Sequence, residues 1–140
     1  MITQVATIFV PVADQDRSLE FYIEKLGFEK RIDFVYGGTN RWIEVAPAGS
    51  HVAIALVPRT EGSHRADDHT YCAFSASDID AEHATLHERG VNVDNQIARK
   101  GTPREGLLSR DVSIADPVPA QFFMRDLDGN RFLVVESPPS

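Results

Sequence analysis

The sequence predicts an α+β fold in which one β-α-β-β-β unit occurs twice in tandem. Two stretches of alternating, β-branched residues each lead into an acid-capped amphipathic helix, and short strands punctuated by turn residues follow each helix. The two halves also overlay. Val10-Pro-Val-Ala-Asp14-Gln-Asp16 matches Phe74-Ser-Ala-Ser-Asp78-Ile-Asp80 at an offset of 64 residues, and Gly27 falls against Gly90 after one deletion. A repeat of this length indicates duplication of a supersecondary unit rather than a solenoid.

In the first half, residues 3–12 alternate as a strand. Asp14 and Asp16 are placed to cap a helix whose apolar positions Leu19, Tyr22, Ile23 and Leu26 recur at helical spacing, and Gly27 stands where a C-terminal cap belongs. Strands are expected at 28–36, 41–46 and 51–57, with Gly37-Gly38 and 47–50 as turns. In the second half, residues 69–76 form a strand, and Ser77-Asp78-Ile79-Asp80 has capping-box spacing with Asp in place of Glu. Ile79, His83 and Leu86 mark the inner face of the second helix, which Gly90 closes. Further strands are expected at 91–98, 122–125 and 131–136, with the long segment 99–120 folding over as a flap. The organisation expected is one domain, 1–140, with modules at 1–58 and 69–140 joined by a polar linker at 59–68.

Composition narrows the classes. With 14 Lys+Arg against 21 Asp+Glu, the net charge is −7, and no basic face suited to nucleic acid is visible. The single cysteine, Cys72, excludes an intrachain disulfide and a thiolate-built metal knot. No apolar run has the length of about 18 residues that a membrane span needs, so a soluble, cytoplasmic protein is expected. No nucleophile is paired to a base, and by strand parity Cys72 points to the helix side as an inert buried thiol. Asp126-x-Asp128-Gly129-Asn130 places its glycine too early for a calcium loop and reads as a turn.

The combination of 12–22 (VADQDRSLEFY), Leu26-Gly27-Phe28, Arg41-Trp42-Ile43-Glu44-Val45-Ala46 and 123–130 (FMRDLDGN), in this order over a duplicated unit, resembles the vicinal oxygen chelate superfamily. That superfamily includes glyoxalase I, fosfomycin resistance proteins, extradiol dioxygenases and bleomycin-binding resistance proteins. The resemblance covers most of the chain. It implies two βαβββ modules forming a cup-shaped mixed sheet with the active or binding cavity inside, and a homodimer.

Metal-using members take ligands from cup-facing positions that fall here on Thr7, Tyr71, Leu133 and Ala55. None supplies an imidazole or carboxylate, and divalent cations require several such groups converging. The expectation is therefore no metal and no cofactor. His69, His51 and Glu136 lack motif-like spacing for a displaced site, and His83 and His87, four apart on the second helix, read as packed or solvated. The cup would be lined by Thr7, Phe9, Trp42, His69, Tyr71, Phe123 and Leu133, an apolar and aromatic set suited to a bulky, partly flat organic ligand. With the acidic charge, that favours a protein sequestering a hydrophobic, aromatic or cationic natural product, as bleomycin-binding relatives do. Two alternatives stand beside it. One is an enzyme, either a lyase or dioxygenase with rearranged ligands or a metal-free isomerase using Tyr71 or His69 for proton transfer. The other is a structural or regulatory partner domain with no pocket, and the plainest structural reading of the cup has Phe9, Phe123 and Leu133 simply filling a closed core.

Overall fold

Two aspartates start the two helices. In the computed structural model, which describes residues 1–59, 69–99 and 119–138, Asp14 and Asp78 are the N-caps, each accepting a hydrogen bond from the backbone N–H three residues on, at Arg17 and Ala81. Each satisfies an N–H that the first helical turn leaves without a partner. The second cap falls one residue later than the capping-box spacing suggested: Asp78, not Ser77, takes the role. The linker at 60–68 and the greater part of the expected flap, 100–118, lie outside the described residues, as does His64.

The chain divides into two compact units, Met1–Arg65 and Ala66–Ser140. The first contains β1 (Thr7–Val12), α1 (Gln15–Glu24), β2 (Glu29–Tyr36), β3 (Asn40–Ala46) and β4 (Ala53–Pro58). Its four-stranded sheet has the order β1-β4-β3-β2, with β1 parallel to β4 and the remaining pairs antiparallel. The first ladder begins at Thr7, paired with Ala53, rather than at residue 3. One sheet face is packed: Val10, Val12, Ile43 and Val45 are all at most 1% exposed, together with Tyr22 of α1. Burying five such side chains contributes on the order of 1.5–3 kcal/mol each before chain entropy is charged. Gln15 at the start of α1 donates to the carbonyls of Arg41 and Leu56, both at 2.9 Å, which ties the helix to β3 and β4. Arg41 extends from the same face, donating to Asp33 at 2.9 Å and pairing with Asp16 of α1.

The second unit repeats the order with β5 (Thr70–Ala76), α2 (Ile79–Glu88), β6 (Asn92–Val93), β7 (Gln121–Arg125) and β8 (Arg131–Glu136). Its sheet runs β5-β8-β7-β6, again with a parallel pair, β5 and β8, closing the crossover. Phe122, Met124, Phe132 and Val134 are buried on one face with Ile79 and Leu86 of α2. The strand expected at 91–98 is cut to two residues, with a lone bridge at Ala98. The cause is Asp94: its carboxylate accepts the Phe123 N–H at 2.9 Å, while its carbonyl faces His83 Nε2 at 2.6 Å. His83, edge-on to Phe122 at 4.9 Å, is thereby a packed histidine.

The β7–β8 hairpin closes through Asp126. Its Oδ1 accepts the N–H groups of Asp128 and Asn130, and its Oδ2 accepts the Asn130 amide at 3.0 Å. Gly129 supplies the left-handed backbone (φ +85°) that this turn requires. The segment is a turn, as its spacing suggested.

Candidate ligand-binding site

Strand alternation decides what each sheet presents on the side away from its helix. In the first unit the register aligns Phe9 with Ala55, Ala55 with Glu44, and Glu44 with Ile32, a single row across all four strands. The neighbouring row brings Trp42 opposite Phe34. The hairpin turn after Tyr36, in which Gly37 and Gly38 both adopt positive φ, sets that pairing. The trio Phe9, Phe34 and Tyr36 is 60%, 51% and 47% exposed, whereas on the opposite face Val10, Val12, Ile43, Val45, Ile54 and Leu56 of β1, β3 and β4 are buried.

The rings are organised. Phe9 meets Trp42 edge-to-face, with centroids 5.8 Å apart and planes at 87°, and Phe34 lies 6.0 Å from Tyr36. Phe34, Tyr36 and Trp42 line an open groove of about 380 Å³. Ala55, fully buried, gives this face a floor with no bulk above a methyl group. The polar element is Glu44, whose Oε2 accepts the Trp42 indole N–H at 2.6 Å, fixing the ring's orientation. Thr7 sits half-buried at the start of β1 on the same side.

On the corresponding face of the second unit the Phe123 ring of β7 is covered, while Ala73 and Ser75 of β5 stay exposed. The Arg131 guanidinium stacks 4.7 Å above the Phe123 ring and donates through Nε to Thr70 Oγ1 at 2.9 Å. Phe123 and Arg131 are each 8% exposed. Leu133 pairs with Phe123 and is half-buried.

Tyr71 and His69 depart from the parity expected of them. A register shift between Thr70 and Ala73 inserts an extra residue into β5. Thr70, rather than Tyr71, consequently shares the side of Arg131, while the Tyr71 ring turns to Phe132 at 6.0 Å. His69 follows it, edge-on to Tyr71 at 4.7 Å. A bulge reverses which face a strand residue addresses, and both side chains are therefore removed from the face that carries Phe123 and Leu133. The structure thus joins Phe9 with Trp42, Phe123 with Leu133, and His69 with Tyr71. Burial pushes the half-buried Cys72 thiol up to about 11, so thiolate is scarce at neutral pH.

Phe34, Tyr36 and Glu44 were not singled out from the sequence. Their signal was the alternation Ile32-x-Phe34-x-Tyr36 facing Trp42-x-Glu44, legible only once the turn length between the strands is known.

The four positions at which metal-using relatives hold an ion do not fit one here. Thr7 and Ala55 sit on β1 and β4, Leu133 lies beside Phe123, and Tyr71 is turned onto Phe132. Among the described residues, no three His, Cys, Asp or Glu side chains are grouped to coordinate a cation.

Two tandem βαβββ modules, each with its own four-stranded mixed sheet, define the class of fold. The chain belongs to the Glyoxalase/Bleomycin resistance protein/Dioxygenase superfamily, whose model matches residues 4–134. It is 30% identical over 136 residues to the uncharacterized protein YetH of Bacillus subtilis (strain 168), covering 97% of this chain and all of that one. Among solved structures it is similar to TnmS3, an antibiotic binding protein from Streptomyces sp. CB03234, at 29% identity and a TM-score of 0.73 over 98% of both chains. It is also similar to a superfamily member from Sphaerobacter thermophilus DSM 20745, at 27% identity and a TM-score of 0.76, over 97% of this chain and 98% of that one. No helix among the described residues is long and apolar enough to cross a membrane.

Proposed function

We propose that this protein is a metal-free binder that sequesters a bulky, flat hydrophobic or aromatic natural product of the antibiotic type, and that it acts as a homodimer. The observation that carries the reading is the open aromatic face of the first unit. Phe34 and Tyr36 stand about half exposed and, with the half-buried Trp42, line a groove of about 380 Å³, and Phe9, 60% exposed, meets Trp42 beside it. Leaving so much ring surface in water is unfavourable by roughly 25 cal/mol per Å² of apolar area, a cost that a flat guest removes by stacking. The groove volume falls within the usual range for small-molecule sites, about 300–1,000 Å³. The similarity to an antibiotic binding protein over nearly the whole chain supports the same reading.

Trp42 is the only tryptophan in the sequence and stands in the groove wall, so its emission reports occupancy directly. Titration with a panel of polycyclic aromatic antibiotics is expected to quench that emission saturably for at least one member. In Trp42→Phe, calorimetry is expected to show weaker binding of the same compound at an unchanged unfolding midpoint. Silence across the panel overturns the reading.

A further inference from the structure

An aromatic face built only for stacking would carry no charge, yet this one holds a carboxylate in its middle. Glu44 lies in the row Phe9–Ala55–Glu44–Ile32, between a buried alanine and an isoleucine, two residues along β3 from Trp42. Packing does not require the charge. The Trp42 indole needs one acceptor, which a neutral glutamine in the same place would supply equally. A carboxylate has about four acceptor sites, and the indole bond at 2.6 Å takes one of them.

The geometry points to a cationic guest: we propose that Glu44 selects a flat aromatic molecule bearing a protonated amine, whose ring stacks against Trp42 and Phe34 while its N–H groups bond the Glu44 carboxylate. This rests on the stacking role proposed above and adds to it the sign of the ligand's charge. Three physical effects favour that sign. N–H donors from a cation to a carboxylate form the stronger, charge-assisted class of hydrogen bond. Indole is the best of the aromatic faces for a cation, and a carboxylate bonded to its N–H makes that face more negative. A net charge of −7 raises the local concentration of cations and lowers that of anions.

The test uses three flat tricyclic probes of similar area: proflavine (protonated at neutral pH), anthraquinone (neutral) and anthraquinone-2-sulfonate (anionic). Binding is measured by Trp42 emission and calorimetry on the full chain and on Glu44→Gln. The expected result is proflavine tighter than anthraquinone by about tenfold, the scale of one hydrogen bond to a charged group, with the sulfonate weakest. In Glu44→Gln, which keeps an acceptor for the indole, that preference is expected to shrink severalfold to the residue left by the net charge, while anthraquinone binding stays within about twofold. Charge selection is overturned if proflavine binds no tighter than anthraquinone, if the sulfonate binds tightest, or if Glu44→Gln leaves the preference intact or weakens both probes alike. In each of those cases bound anthraquinone leaves the stacking role standing. If no probe binds, the stacking role and the selection fall together.

Discussion

The two halves of this chain share a scaffold and differ on the face that each sheet turns away from its helix. Both helices begin at an aspartate cap, both sheets close with a parallel pair, and both bury aliphatic and aromatic side chains of their inner strands on the helix side. On the far face, however, the first unit leaves Phe9 60% exposed, while the second covers Phe123 with Arg131 and leaves it 8% exposed. Duplication therefore preserved what folds each unit and released what each unit presents. An open aromatic face is available to a guest, and one already stacked by its own guanidinium is satisfied from within.

Three measurements sharpen or break that contrast. The largest effect is expected from the paired substitutions Phe123→Ala and Phe9→Ala. Removing the buried ring should cost about 3–4 kcal/mol in chemical denaturation, and removing the exposed one about 1 kcal/mol or less. Equal costs would show that the two faces are packed alike. The next is the pair of caps: Asp14→Ala and Asp78→Ala should each cost about 1 kcal/mol, by the same amount within error, since each accepts one N–H at 3.1 Å. A large inequality would mean that the halves do not share this device.

The smallest effect is a pH dependence at Asp33 of the first unit. The Arg41 guanidinium, bonded to Asp33, holds that carboxyl below its ordinary value of 3.8, against an opposing effect of burial and with help from Lys30. A depressed folded value means that the stabilisation is present above the ordinary carboxylate range and is lost as pH falls through the depressed value. The wild type should thus lose a small increment of stability in acid that Asp33→Asn lacks. The pair lies near the surface, so high salt should shrink the increment.

Much of the scaffold was legible because its determinants are local. The Val10-x-Val12 alternation, the caps at Asp14 and Asp78, and the glycines ending each helix speak through neighbours within a few residues. The site was less legible because it depends on register. Nothing near Tyr71 announces that β5 gains a residue between Thr70 and Ala73, since that shift exists only relative to β8. Nothing near Asp94 announces that its side chain will take the Phe123 N–H from 29 residues away and end the strand. Phe34 and Glu44 likewise joined the aromatic face only through the hairpin that aligned β2 with β3.

The Asp126 turn has a kinetic consequence. Its carboxylate links groups at most four residues away, so the β7–β8 hairpin closes with little loss of chain entropy. The parallel pairing of β5 with β8, marked by the Thr70–Arg131 bond across 61 residues, requires a far longer loop to be closed. That difference in loop closure predicts an order of assembly, with the hairpin formed first and β5 docking later, which φ-values measured in the hairpin and in β5 would read.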